Sequence, residues 1–266
     1  KQLRQCAGTV DDGLLRWAKH AIGSRSYEWH SGERDRRAVA VMVPFADMFN
    51  DDPAHNAQWS WQEGTDAFQV HLLRDVSAGE EILVSYGKKA NEHLLTHYGF
   101  VHSGNRQDVV YVDLLDYEAA ASDPKASRLA LSYDPEVSGK WLPRVLGALR
   151  SHLARDRPAG AERPSEAALE GLALEAVQRR CSEASARWRG GLPEGTDSMC
   201  VAYRSELAAL ANACADFAGR ALGELSGGRP LVVAPNLSTA ARDVMSLMLS
   251  SWRTDAAARL GGNFGS

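Results

Sequence analysis

Four short segments hold the residue types that could do chemistry: Ser24-Arg25-Ser26-Tyr27, the run from Pro44 to Asn50, the run from Ala78 to Gly87, and the run from Asn91 to Phe100. Asp47 and Asn50 follow a valine-rich apolar run into an irregular loop, where polar side chains either satisfy a turn or form a site. Tyr86 stands between Ser85 and Gly87 at a strand end, either as a surface phenol or as a placed hydrogen-bond donor. Tyr98-Gly99-Phe100 closes a helix, and its rings either fill core or border a ligand. Taken singly, each feature has a purely structural reading. His93 and His97 have the i, i+4 spacing that suits a metal on one helix face. No Glu follows the first of them in a metalloprotease pattern, and no Cys/His cluster has zinc spacing, so no metal is expected.

The elements that must position these residues can be read from periodicity. Val10 to Ile22 is expected to be a helix, with Leu14, Leu15, Trp17, Ala18, Ala21 and Ile22 on its apolar face. Ala38 to Pro44 reads as a buried strand. Ala57–Trp61 and Ala67–Leu73 are shorter strands around a glycine-containing turn, and Trp59 and Trp61 alternate on the first as sheet-face residues. Ser77 to Glu80 is a turn, Glu81 to Ser85 a strand, and Asn91 to Tyr98 a helix stopped by Gly99. A last strand is expected at Asp108–Leu114. Ala/Leu/Arg/Glu-rich helical stretches then follow at about 116–131, 141–155, 165–189, 197–225 and 237–252, with Pro/Gly breaks between several of them. The boundary is expected near residue 104, with a β-rich domain over 1–104 and an all-helical one over 105–266.

Composition sets outer limits. The 266 residues carry 30 Lys+Arg and 34 Asp+Glu, a net charge of −4, which argues against nucleic-acid binding driven by bulk charge. The longest apolar run, Ala38 to Phe45, is too short to span a bilayer, so no membrane association is expected. Four cysteines (Cys6, Cys181, Cys200 and Cys214) with no close pair read as thiols in a reducing, intracellular compartment. Plastid, cytoplasm and nucleus all remain open.

Together and in order, the four segments resemble the SET-domain methyltransferases, in the branch typified by the plastid Rubisco large-subunit lysine methyltransferase. The family pattern is Ser-Arg-x-Phe/Tyr, Pro-x-x-Asp-x-x-Asn-His, Gly-Glu-Glu-(apolar)-x-x-Ser-Tyr-Gly and Asn-x-x-Leu-Leu-x-x-Tyr-Gly-Phe. Gly79 to Phe100 matches the last two almost without a gap. The resemblance implies an α+β fold: a β-rich, knotted SET domain with a helical insert, present here in part, followed by an all-α substrate-binding domain. It implies S-adenosylmethionine as methyl donor, a non-histone protein substrate docked on the helical domain, and a monomer. It further implies Tyr86 as the catalytic phenol. Ser24, Asn50, Asp51, Tyr98 and Phe100 fall at cofactor positions, and Arg25, Tyr27 and Asp47 along the target-side-chain channel.

Two departures bear on the expectation. Asp51 stands where the family has His, a position whose cofactor contact is largely through the backbone. No Gly-x-Gly occurs in the 266 residues, whereas the family uses one to cradle the methionine part of the cofactor. The start at Lys1 is therefore expected to reflect an N-terminal truncation, and this piece alone is expected to bind the cofactor weakly and not to methylate protein. The rival readings are protein-histidine methylation by the same branch and a catalytically inactive protein-binding module.

Overall fold

The computed structural model describes residues 11–30, 38–62, 67–116, 119–120, 127–156, 160–227 and 238–261. Cys6, the turn between the second pair of expected strands, and parts of the breaks near 157 and 228 lie outside them. The chain divides into two compact units, one of residues up to 89 with 96–99, the other of residues 90–95 with 100 onward.

The first unit opens with helix α1 (Asp12–Arg25), capped by Asp11, whose carboxylate accepts the Leu14 amide at 3.1 Å. The helix runs beyond the expected Ile22, so Ser24 and Arg25 sit in its last turn. Its apolar face is present, yet none of its residues is buried. A strand missed in the sequence follows directly. β1 (Ser26–His30) pairs antiparallel with β2 (Ala38–Met42), setting Tyr27 opposite Val41. A 3-10 turn at Ala46–Met48 leads into the two-residue strand β3 (Asn50–Asp51). β4 (Ala57–Gln62) and β5 (Ala67–Leu72) form the expected hairpin, with Trp59 opposite Val70 and Trp61 opposite Phe68. β6 is only Leu83–Val84 and lies parallel to β3, pairing Asn50 with Leu83 and Asp51 with Val84.

Buried Asn56 ties these short strands together. Its side-chain oxygen accepts the Leu83 amide at 2.8 Å and its amide donates to the Glu81 carbonyl at 2.9 Å. Its backbone carbonyl accepts from Leu73 at 2.8 Å. One side chain thus substitutes for the ladder that two-residue strands cannot supply. Glu80 holds the turn before β6, accepting the Ser77 amide at 3.1 Å and pairing with Arg74, which draws its carboxyl down to about 2.

Helix α2 (Asn91–Tyr98) ends where expected, at Gly99 with φ 81°. In the second unit, β7 (Val109–Asp113) pairs antiparallel with β8 (Arg128–Ser132). Four long helices follow: α3 (Pro135–Arg155), α4 (Glu166–Arg189), α5 (Ser198–Leu225) and α6 (Thr239–Leu260). The unit is therefore mainly helical but not all-α. The 116–131 stretch, read as a helix, ends in β8, because Leu129 and Leu131 are drawn into the core alongside Val110 and Val112 of the neighbouring strand. One apolar cluster from Val110 to Ala256 fills the unit, with Phe217 and Trp252 among its largest buried side chains.

Candidate functional site

The 3-10 turn organises the site in the first unit. Phe45, at φ 68°, is the one described non-glycine residue with positive φ, and it reverses the chain so that the carbonyls of residues 46, 47 and 49 become acceptors for three separate side chains. The Tyr27 hydroxyl donates to Ala46 O. Arg25 Nη1 donates to Asp47 O at 3.0 Å and lies 3.5 Å from the Asp47 carboxylate. The Tyr86 hydroxyl donates to Phe49 O at 2.7 Å. Segments far apart in sequence are thereby pinned to one short stretch of backbone.

Tyr86 is fixed at both ends. Its amide donates to Asp51 Oδ1 at 2.6 Å while its hydroxyl reaches Phe49. Its ring lies 4.8 Å from that of Tyr98, inclined by 39°. The Tyr27 ring packs edge-on to Trp59 at 5.0 Å and against Phe68 at 4.7 Å, so β4 and β5 supply an aromatic wall behind it.

All three phenols resist ionisation. Burial, then Tyr86 and the Asp47 carboxylate, push Tyr27 up to about 12. Tyr86 is raised first by burial and then by the Asp51 charge, with Arg25 opposing. Tyr98 is raised by burial, Asp51 and Glu28. At neutral pH the three phenols are therefore protonated hydroxyls, set among backbone carbonyls, the side chains of Asp47 and Asp51 and the Arg25 guanidinium.

Of the residues singled out in the sequence, Arg25, Tyr27, Asp47, Asp51, Tyr86 and Tyr98 come together. The Ser24 hydroxyl instead turns back to the His20 carbonyl of its own helix at 2.8 Å. Asn50 is exposed, and its amide donates to Glu81 Oε1 at 2.6 Å. Phe100 belongs to the second unit, edge-on to His102 at 5.1 Å. Sequence reasoning missed the carbonyl role of Phe49 and the staple at Asn56. Backbone acceptors carry no side-chain signal, and one Asn in a loop resembles any turn residue. Among the described residues, no group of three or more His, Cys, Asp or Glu could hold a metal ion. No described helix is long and apolar enough to cross a membrane.

Residues 12–87 match the SET domain family. The chain's relatives include the ribosomal lysine N-methyltransferase set11 of Schizosaccharomyces pombe, 25% identical over 40% of this chain and 27% of that protein. They also include the actin-histidine N-methyltransferase of Canis lupus familiaris, 29% identical over 51% of this chain and 25% of that protein. The chain thus spans about a quarter of the length of these relatives. A solved structure of Rubisco LSMT bound to sinefungin and monomethyllysine overlays 97% of this chain and 64% of its own, with 19% identity and a TM-score of 0.46. The SET match ends at Gly87, so Tyr98 and Phe100 lie beyond it.

Proposed function

We propose that this chain is part of an S-adenosylmethionine-dependent protein-lysine N-methyltransferase acting on a non-histone protein. The observation that carries the reading is the double anchoring of Tyr86 by Asp51 and the Phe49 carbonyl, beside Tyr98. The Tyr86 proton is committed to a carbonyl, so toward an amine the phenol oxygen acts as a hydrogen-bond acceptor that can orient it. A site that holds reactants in line needs placement more than acid–base power.

When bound, S-adenosylmethionine supplies an electrophilic methyl group on a sulfonium. The donor set suits that cation, because carbonyl oxygens, the Asp51 charge and the Tyr86 and Tyr98 rings all favour positive charge. In this reading Asn50, the backbone of residue 51, Tyr98 and Phe100 hold the cofactor, with Ser24 beside the methyl-transfer position. Arg25, Tyr27 and Asp47 line the channel of the target side chain. The aromatic wall of Tyr27, Trp59 and Phe68 fits the apolar stem of a lysine.

The proposal extends to organisation. Residues 1–104 would form the C-terminal part of a SET domain, with its strands crossing in the family's knot-like arrangement. Residues 105–266 would form the substrate-docking part of a monomer, and the free, buried Cys181 and Cys214 fit a reducing, intracellular compartment. The test is incubation of the full-length gene product with radiolabelled S-adenosylmethionine and a protein extract, followed by amino-acid analysis. Label in methyllysine supports the reading. Label in methylhistidine favours the alternative that the relationship to the actin-histidine enzyme keeps open. Absence of label together with absence of cofactor binding favours an inactive binding module.

A further inference from the structure

The second unit carries a groove that the proposed chemistry does not use. β7 exposes Tyr111 and Asp113 on its outer face, and α3 exposes Trp141 and Arg144. Together with Arg128 of β8 they line a cavity of about 670 Å³. Tyr111 is 56% exposed and Trp141 43%, unusual for rings of this size on a structured face. Each ring carries an arginine: the Arg128 guanidinium carbon lies 5.7 Å from the Tyr111 centroid, and that of Arg144 5.9 Å from the Trp141 centroid.

The two arginines differ in one respect that decides the ligand. Arg128 is paired with Asp113 at 2.8 Å. Arg144 has no carboxylate partner among the described residues, although the chain as a whole carries −4. Among the described residues the groove therefore holds one uncompensated cation against the overall sign of the protein, set between two aromatic platforms. Stacking on Trp141 holds the Arg144 fork in place, which lowers the ordering cost of binding a carboxylate.

We propose that this groove binds a protein segment bearing carboxylates beside apolar or aromatic side chains, with Arg144 taking a carboxylate and Tyr111 and Trp141 taking the apolar neighbours. An oligonucleotide would also meet rings and arginines, but the acidic balance of the chain disfavours a polyphosphate. The inference rests on the methyltransferase reading only where it places the segment in the substrate protein. The binding test needs no cofactor, so the two can fail separately.

The test is fluorescence anisotropy on the whole chain with a fluorescein-labelled Glu-Leu-Glu-Phe-Glu-Leu peptide, its counterpart with Gln for every Glu, and a single-stranded oligouridylate. The acidic peptide should bind, the Gln peptide at least about tenfold more weakly, and the difference should shrink as salt rises. Arg144→Gln, an exposed change, should weaken acidic-peptide binding about tenfold while leaving thermal unfolding unchanged. Lys140→Gln, on the same helix but outside the groove, should change nothing. Equal binding of both peptides, no binding of the acidic one at millimolar concentration, preference for the oligouridylate, or an Arg144→Gln variant that binds as well as wild type would each overturn the proposal.

Discussion

At the scale of single residues, the site depends on which atom each hydroxyl proton reaches. Tyr86 illustrates this, since its phenol donates to Phe49 O and is then available only as an acceptor. Replacing Tyr86 with Phe keeps the ring against Tyr98 and removes that acceptor. If the proposed methyl transfer holds, turnover should fall by about a hundredfold or more, with the cofactor dissociation constant within about twofold. Single-turnover kinetics and calorimetry on the variant check both halves, and unchanged turnover would assign the role to another phenol. The candidate residues were legible because their types recur in a fixed order. The pairing of each with its acceptor was not, because those acceptors are backbone atoms presented by a strained turn at Phe45. Asp51 is the instructive case. As a letter it looked like a loss of the family's His, whereas in the structure its carboxylate holds the Tyr86 amide at 2.6 Å.

At the scale of elements, the helices of the second unit were the most legible part. The expected starts near 165 and 197 fall on Ser165 and Asp197, the N-caps of α4 and α5, whose side chains accept amides of the first turn. β1, β3 and β8 were not legible: two are set by partners distant in sequence, and one follows a helix without a break. What locks the helices together was also hidden. Glu170 of α4 is fully buried and accepts Arg150 of α3 at 2.7 Å, Arg259 of α6 at 2.8 Å and the Trp252 indole at 2.9 Å. Glu170→Ala should cost the second unit about 3–5 kcal/mol in urea unfolding, because two arginines lose their shared partner. Asp216 of α5 has the opposite character. It is 8% exposed, its Oδ2 has no hydrogen-bond partner, and burial pushes its carboxyl up to about 6 despite Arg220 and Arg189. A raised value means stability that is full below the ordinary 3.8 and lost as pH rises through about 6. Asp216→Asn should therefore match wild type near pH 3.8 and be the more stable of the two at neutral pH. Chemical unfolding of both proteins across that range is the measurement, and a gap independent of pH would exclude the mechanism.

At the scale of the whole molecule, the two units differ sharply in how much apolar surface they bury. Every residue of the large apolar cluster belongs to the second unit. Among the described residues of the first, the buried hydrophobic ones are Ala46, Ala57 and Val84, while Leu14, Leu15, Trp17 and Ile22 of α1 are all at least 49% exposed. Fully buried side chains there are small, so the first unit rests on its partly buried aromatic cluster of Tyr27, Trp59, Trp61 and Phe68 and on hydrogen bonds such as those of Asn56 and the carbonyls of the 3-10 turn. Its local opening free energy should be low and that of α4 and α5 close to the global value, which amide hydrogen exchange will resolve as fast and slow classes. This asymmetry gives the cofactor proposal a readout that needs no substrate. A ligand that binds only the folded form stabilises it by RT ln(1 + [L]/Kd), about 2.7 kcal/mol at a hundredfold excess over Kd. S-adenosylmethionine at saturation should therefore slow exchange about a hundredfold at residues 50–51, 85–86 and 96–98, leaving α4 and α5 unchanged. Because the 266 residues contain no Gly-x-Gly, saturation should need far more cofactor in this chain than in a chimera that adds that segment from a relative. Protection that reaches the same plateau in both proteins, at very different concentrations, is the expected result. Equal midpoints would show that the residues described here hold the cofactor unaided, and no protection in either would remove S-adenosylmethionine from the account.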